Sequence, residues 1–356
     1  MTIAAFTPRP AILDERITMK YGAGGRAMRA LIEGVFVAGA AEEPELSEGG
    51  IAIGLAAMDD GAAIRVGDRW LVVTTDSHVI HPVFFPGGDI GRLAISGTVN
   101  DLAMMGATEV LALTCGVILE EGFALEDLRR IQASLAATCR EAGATVVTGD
   151  TKVMGRGELD GIVLNTTGLA LTDRLVPDSG LRAGDLLLVT GTVGDHGMAV
   201  MAVRHGLDLG GDLRSDVAPI NGLIRLALAA GGEDVVAMKD PTRGGLASAL
   251  HEMASKSGVG ILLDEAAVPV TPEVRAAAEL LGIEPLHVAN EGKAVIGVRP
   301  EAAGRVLAAL REHPLGRNAA VVGTCLAELP GSVLLDTGFG RRLLAEPEGE
   351  PLPRIC

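Results

Sequence analysis

Two periodicities alternate along the chain. Stretches in which every second residue is apolar line one face of a strand, and stretches with apolar residues three and four apart line one face of a helix. Residues 62–66 and 70–75 read as strands around the turn Gly67-Asp68-Arg69, and a helix is predicted from about 89 to 105. An apolar run at 110–119, a helix at 125–142 and strands at 145–148 and 161–171 follow. Around 175–184 the residues turn to Pro, Asp, Ser and Gly, which favour turns over ladders, so a domain junction is expected there. Beyond it, strands at 186–190, 235–238, 261–263, 294–298 and 319–325 alternate with helices near 196–204, 219–230, 244–257, 272–281 and 301–312. The expected fold is α/β (α+β), with two mixed-sheet domains at 1–175 and 176–343 and a flexible tail at 344–356.

The tail is expected because Glu-Pro-Glu-Gly-Glu-Pro-Leu-Pro-Arg-Ile-Cys, from Glu346 onward, has no apolar face and little capacity for helix. Its last 11 residues could extend to roughly 35 Å, enough to carry a thiol into a distant site.

Composition narrows the function. A formal charge of -16 with 2% aromatic residues supplies neither a basic face nor stacking rings, so nucleic acid is not expected as a partner. No stretch reaches the ~18 uninterrupted apolar residues of a membrane span, and the start lacks a basic segment leading into an apolar one, so a cytoplasmic protein is expected. Four cysteines, at 115, 139, 325 and 356, show no paired metal spacing. Cys139 continues the helical stripe Leu125, Leu128, Ile131, Leu135, while Cys115 and Cys325 sit in apolar runs, so all three read as core. Cys356 closes the tail, where a neighbouring α-carboxylate would disfavour its thiolate. The residues alone leave it open between an exposed thiol without a role and a nucleophile delivered to an electropositive pocket.

Acidic residues recur beside predicted strands: Asp59 and Asp60 before one, Asp76 and Asp150 after others, and Asn100-Asp101 within a helix. Such a set suits Mg²⁺ bound to nucleotide phosphates, because hard cations select oxygen; each aspartate singly reads better as turn chemistry. Gly22-Ala23-Gly24-Gly25 and Pro86-Gly87-Gly88-Asp89 each precede a predicted helix, where backbone amides can approach phosphate, but neither matches a nucleotide fingerprint. Lys152 is one of five lysines among 30 basic residues, and lysine can move a proton where arginine cannot; a solvated surface lysine is the alternative. Asp240-Pro241-Thr242-Arg243-Gly244-Gly245 and Asn290-Glu291-Gly292-Lys293 are further site-loop candidates, whereas the dispersed histidines give zinc little support.

Taken together these segments resemble the HypE family of hydrogenase maturation factors, within the superfamily of aminoimidazole ribonucleotide synthetase, selenophosphate synthetase and thiamine monophosphate kinase. The carriers are Thr75-Asp76-Ser77, the segments 84–91 and 97–103, Val147 to Val153, Gly194-Asp195-His196-Gly197, Thr242-Arg243-Gly244-Gly245, Asn290-Glu291-Gly292-Lys293 and the terminal Pro353-Arg354-Ile355-Cys356. The resemblance implies that a carbamoyltransferase, HypF, loads Cys356, and that ATP then dehydrates the carbamoyl group to a thiocyanate. Its cyanide would pass to iron on a HypC-HypD scaffold complex. It implies a homodimer built on the first domain, Mg²⁺ on Asp60, Asp76, Asp101 and Asp150, and ATP near Gly22, Gly24, Gly25, Asp59 and Asn100. Lys152 is the expected group for proton transfer or charge stabilisation, with Glu291, Arg243 and His196 as further catalytic candidates. Tyr21 stands where relatives commonly carry His, and no catalytic role is assigned to it. Two other readings are a small-molecule kinase or synthetase with an incidental tail, and an ATP-switched carrier without catalysis.

Overall fold

The computed structural model describes residues 14–22, 24–40, 50–207, 212–347 and 355–356. The first domain begins with α1 (Gly25–Leu31), which continues as a π-helix over Ile32–Val37, and β1 (Ile51–Ile53). Strands β2 (Ala62–Val66) and β3 (Arg69–His78) then pair as a hairpin, Val66 opposite Arg69. Its two-residue turn needs Gly67, at φ +59, because the positive φ that matches the strand twist strains any residue with a Cβ. A short ribbon, β4 (Phe84–Phe85) and β5 (Gly88–Asp89), leads into α2 (Ile90–Met104). The remaining elements are β6 (Val110–Glu120), α3 (Leu125–Ala142), β7 (Val146–Met154) and β8 (Ile162–Thr172).

These strands form one sheet in the order β1-β2-β3-β8-β6-β7, antiparallel except for the parallel pair β6 and β7. Strand β8 buries every second residue, the burial pattern of a strand with one face on a core. That core is α2, which is buried around nearly its whole circumference because it lies between the sheet and the second domain. Asp89 caps it, its carboxylate accepting from the amides of Gly91 and Arg92 at 2.8 and 3.0 Å.

The second domain contains β9 (Leu186–Val189), α4 (Asp195–Arg204), α5 (Asn221–Gly231), β10 (Val235–Lys239), α6 (Gly245–Ser257) and β11 (Gly260–Asp264). It continues with α7 (Pro272–Leu281), β12 (Val295–Val298), α8 (Pro300–Glu312), β13 (Ala320–Leu326), β14 (Val333–Asp336) and β15 (Arg341–Leu343). Its sheet runs β10-β12-β9-β13-β11-β14-β15 and is again mixed, with β11 and β14 parallel.

Both mixed sheets follow the expected fold class. Two boundaries differ from the sequence reading in a way that matters. Strand β3 continues through Asp76 to His78 because its ladder with β8 persists to the pair His78 and Leu164. Strand β7 continues through Asp150 and Lys152 to Met154 because β6 supplies partners along its whole length. Cys115, Cys139 and Cys325 are buried.

Candidate active site

Several pieces of chain with different sequence origins meet around a cavity of about 530 Å³ between the domains. The first domain contributes Gly24, Gly25 and Arg29 from its N-terminal segment, then Asp59, Asp60, Asp76 and Asp101. The second contributes Lys239 and Asp240 at the end of β10, Thr242, Arg243 and Ser248 around the start of α6, Glu252 and Lys256 further along it, and Glu291. Cys356 completes the lining.

Two glycines allow the close approaches this needs. A Cβ on Gly24, at φ +77, would stand 2.9 Å from the Arg243 Cβ, so the glycine segment can lie against that arginine. A Cβ on Gly244, also at φ +77, would stand 2.2 Å from the Ser248 Oγ, so only glycine lets the loop enter α6 here. Gly245 and Ser248 of the first turn of α6 line the cavity, the Gly245 amide donating to the Thr242 carbonyl at 2.8 Å.

The electrostatics are those of a site short of positive charge. Burial pushes the Asp101 carboxyl well above the usual range, and Asp240, Asp76 and Asp60 push in the same direction by repulsion; the Thr74 hydroxyl donates to Asp101 at 2.9 Å. Burial and the charge on Asp60 carry Asp240 up to about 8, and burial with Asp178 and Asp60 carries Asp59 up to about 7. Glu291 is raised well above its ordinary value by burial and then by Asp240, Asp216 and Asp76. Its Oε1 and the Oδ2 of Asp60 are buried without a hydrogen-bond partner. Buried carboxylates that repel one another and leave oxygens unpaired suit a hard cation. Among the described residues no three metal-ligating side chains gather at one point. The acids instead ring the cavity, an arrangement suited to cations whose coordination is completed by phosphate oxygens.

Beneath the acids lies a cationic floor that sequence reading missed. Lys239 Nζ donates to Asp60 at 2.5 Å and stands 3.3 Å from Glu252 and 3.6 Å from Asp178. Burial opposes its charge, but Asp60, Glu252 and Asp178 together hold the ammonium well above its usual range. Lys256 bridges the Asp178 carboxylate at 2.6 Å and the Met58 carbonyl at 2.5 Å. Lysine scarcity was the available signal. It drew attention to Lys152, yet Lys239, Lys256 and Lys293 are equally rare in this chain, and Lys239 and Lys293 are buried.

The end of the chain is part of the site. Residues 348–354 of the expected tail lie outside the described residues, but both flanks are packed. Leu344 is buried, Glu346 pairs with Arg29, and the Pro347 carbonyl accepts from the Arg26 amide at 3.3 Å. Ile355 is 2% exposed, in the apolar cluster that includes Phe85 and Ile131 of the first domain and Met198 and Val274 of the second. The Val79 amide donates to an α-carboxylate oxygen of Cys356 at 3.2 Å. Negative charge at Cys356 is the largest influence raising the pKa of Arg243, ahead of the opposing effect of burial and the support of Asp76, Glu291 and Asp101.

Of the expected site residues, the cavity gathers Gly24, Gly25, Asp59, Asp60, Asp76, Asp101, Arg243, Glu291 and Cys356. Gly22, Asn100, Asp150, Lys152 and His196 are not in its lining. Asn100 is 2% exposed and makes three side-chain hydrogen bonds: Nδ2 donates to the Ala218 and Glu291 carbonyls at 3.1 and 3.3 Å, and Oδ1 accepts from the Ile220 amide at 2.8 Å. Asp150 and Lys152 pair with each other at 3.0 Å, exposed on β7. The sheet explains their distance. Asp76 is level with Thr166 on β8, Thr166 with Cys115 on β6, and Cys115 with Gly149 on β7. Three strand spacings, about 14 Å, therefore separate the two aspartates.

Two family models match: AIR synthase related protein, N-terminal domain, over residues 58–172, and its C-terminal domain over residues 182–335. A carbamoyl dehydratase HypE of Rhizobium leguminosarum bv. viciae is 46% identical, across 100% of this chain and 99% of its own. The chain belongs to the HypE family. Among solved HypE structures, the HypE-HypF complex superposes with a TM-score of 0.81 at 41% identity, covering 89% of this chain and all of that one. A HypE in complex with ATP superposes with a TM-score of 0.77 at 41% identity, covering 95% and 99%.

Proposed function

We propose that this chain dehydrates a carbamoyl group carried on the Cys356 sulfur, using ATP, and so supplies a nitrile carbon for hydrogenase maturation. Membership of the HypE family supports the reaction class. The observation that carries it to named residues is that Cys356 lines the same cavity as Arg243 and the acid ring.

The chemistry follows from leaving groups. Hydroxide leaves an amide poorly. Transfer of the ATP γ-phosphoryl to the carbamoyl oxygen, with loss of one N–H proton, gives S-C(OPO₃)=NH and ADP, and loss of the remaining N–H proton breaks the C–O bond and expels phosphate as the C≡N bond forms. The carbamoyl oxygen departs in the phosphate. Asp60, Asp76, Asp101 and Asp240 would hold Mg²⁺, which would neutralise the phosphate charge. Arg243 is the donor of this chain closest in character to what a transferring phosphoryl group needs. Glu291, raised in pKa and with one oxygen unpaired, is the group suited to take nitrogen protons within the cavity. Asn100 keeps Glu291 in place through its backbone.

Asp150 and Lys152 enter this reading through a second copy. Strand β7 is an edge strand with exposed Val147, Val153 and Met154, and pairing of such edges in a homodimer would give the two residues a partner's cavity to serve. By the same family reading, the carbamoyltransferase HypF loads Cys356 in the cytoplasm and a HypC-HypD iron complex receives the cyanide.

ADP release in a single turnover tests the proposal. Protein carbamoylated on Cys356 is expected to release ADP in an amount equal to the loaded thiol, and Cys356→Ala to release none while binding ATP as before. ADP release that ignores the state of Cys356 would overturn it.

A further inference from the structure

His196 bears on the end of the chain without touching the cavity. It lies in the first turn of α4, fully buried, and its ring sits edge-on to Phe85 at 5.4 Å between centroids. Burial holds its pKa below the usual value, with Ile355 and Asp216 opposing and Arg204 adding to that effect. Its two nitrogens have separate partners. Nε2 lies 2.7 Å from the Ile355 carbonyl, and Nδ1 lies 2.7 Å from the Ser215 hydroxyl.

These contacts leave one consistent tautomer. A carbonyl can only accept, so Nε2 carries the proton and donates to Ile355. Nδ1 then accepts from the Ser215 hydroxyl, whose own oxygen accepts from the Val217 amide at 3.0 Å. Ser215 is itself fixed, its amide donating to the Pro86 carbonyl at 2.8 Å. The next residue faces the other way: the Asp216 carboxylate accepts from the amides of Glu291 and Gly292 at 3.0 and 3.1 Å and pairs with Lys293 at 3.2 Å. One three-residue segment therefore orients both the ring that receives Ile355 and the loop that carries Glu291.

We infer that His196, set by Ser215, is a positioning residue that latches the end of the chain, so that Cys356 is presented to the cavity while its carrier carbonyl is held. It makes no proton transfer to the reacting group. Its work is to select, by one buried hydrogen bond, the seated over the unseated arrangement of Ile355 and Cys356, with the Ile355 side chain supplying apolar burial beside it. This rests on the dehydratase reading only for the purpose of the latch. The seating itself is a property of the fold.

The test is the rate at which a neutral alkylating agent, iodoacetamide, labels Cys356, followed by intact mass and peptide mapping in the full-length protein. Losing one buried hydrogen bond predicts labelling faster by about tenfold in His196→Ala. His196→Gln, whose amide can still donate to Ile355, is expected to return within about threefold of wild type, which a merely space-filling role would not give. ATP affinity should be unchanged within about twofold, since His196 does not line the cavity. If His196→Ala fails to fold, Ser215→Ala decides, with an expected rise of about threefold from loss of the tautomer lock. Wild-type labelling rates in the folded variants, or equal rates for Ala and Gln, would overturn the latch. The two proposals fail separately: a latch confirmed by labelling in a protein that releases no ADP from carbamoylated Cys356 refutes the reaction and leaves the latch standing.

Discussion

Replacing Asp240 by asparagine should make the nucleotide-free protein more stable at pH 8 and leave it unchanged near pH 4. Asp240 is 6% exposed, and burial with the charge on Asp60 carries its pKa from 3.8 to about 8. A carboxyl raised in the folded state contributes stability that is fully present below its unfolded pKa and lost as pH rises through the folded one. At about 1.4 kcal/mol per pH unit, Asp240 alone costs the folded state roughly 6 kcal/mol once pH exceeds 8. Asp60 and Asp101 repel it and titrate with it, so the effect separable by one substitution is smaller, about 2–3 kcal/mol. Asparagine keeps the volume and is neutral throughout, so the gain over wild type should grow steadily from pH 4 to 8. Urea unfolding without nucleotide or divalent cation, followed at several pH values, measures it, and ATP affinity in the presence of Mg²⁺ should fall in the same variant. A gain independent of pH, or a loss of stability at pH 8, would refute the reasoning that this acid ring is held under mutual repulsion until a cation arrives.

Other consequences can be checked separately. If the proposed homodimer shares its sites, Lys152→Ala and Cys356→Ala, each expected to be inactive alone, should recover roughly a quarter of wild-type sites when unfolded and refolded together, because half of such dimers would be mixed with one complete site each; no recovery would place Lys152 in its own chain's reaction or outside it. Asn100→Ala should destabilise by about 2–3 kcal/mol, since it strands the buried Ile220 amide, and should slow dehydration more than it weakens ATP binding; an equal loss of both would return Asn100 to the nucleotide. Lys239→Met should destabilise by about 3 kcal/mol by leaving Asp60, Glu252 and Asp178 without their shared cation, with urea midpoints at neutral pH as the readout.

The alternation of periods was enough to read both mixed α/β domains, because each strand buries one face and each helix one stripe. Strand ends were less legible. Residues 150–152 are polar and break the apolar run, yet β6 extends β7 through them to Met154 by backbone pairing. That extension moves Asp150 and Lys152 from an imagined strand tip to the far edge of the sheet. The aspartates at 60, 76 and 101 were legible as a set, since each stands beside an element of the first domain that faces the junction. Asp240 was seen only as part of a loop motif, and Asp178 and Lys256 not at all, because their meaning arises from which helix packs under which strand. At Asn100 an amide next to an acid suggested a ligand, whereas the fold uses both Nδ2 hydrogens and Oδ1 in bonds that join the domains.

The fate of one oxygen atom tests the central claim most directly. Protein carrying a carbamoyl group labelled with ¹⁸O at its carbonyl on Cys356 is treated with ATP, and the released phosphate is analysed by mass spectrometry. Transfer of phosphoryl to that oxygen predicts one labelled oxygen in each phosphate, together with loss of one water's mass from the protein. Unlabelled phosphate, with the heavy oxygen in solvent or still on the thiol, would contradict it.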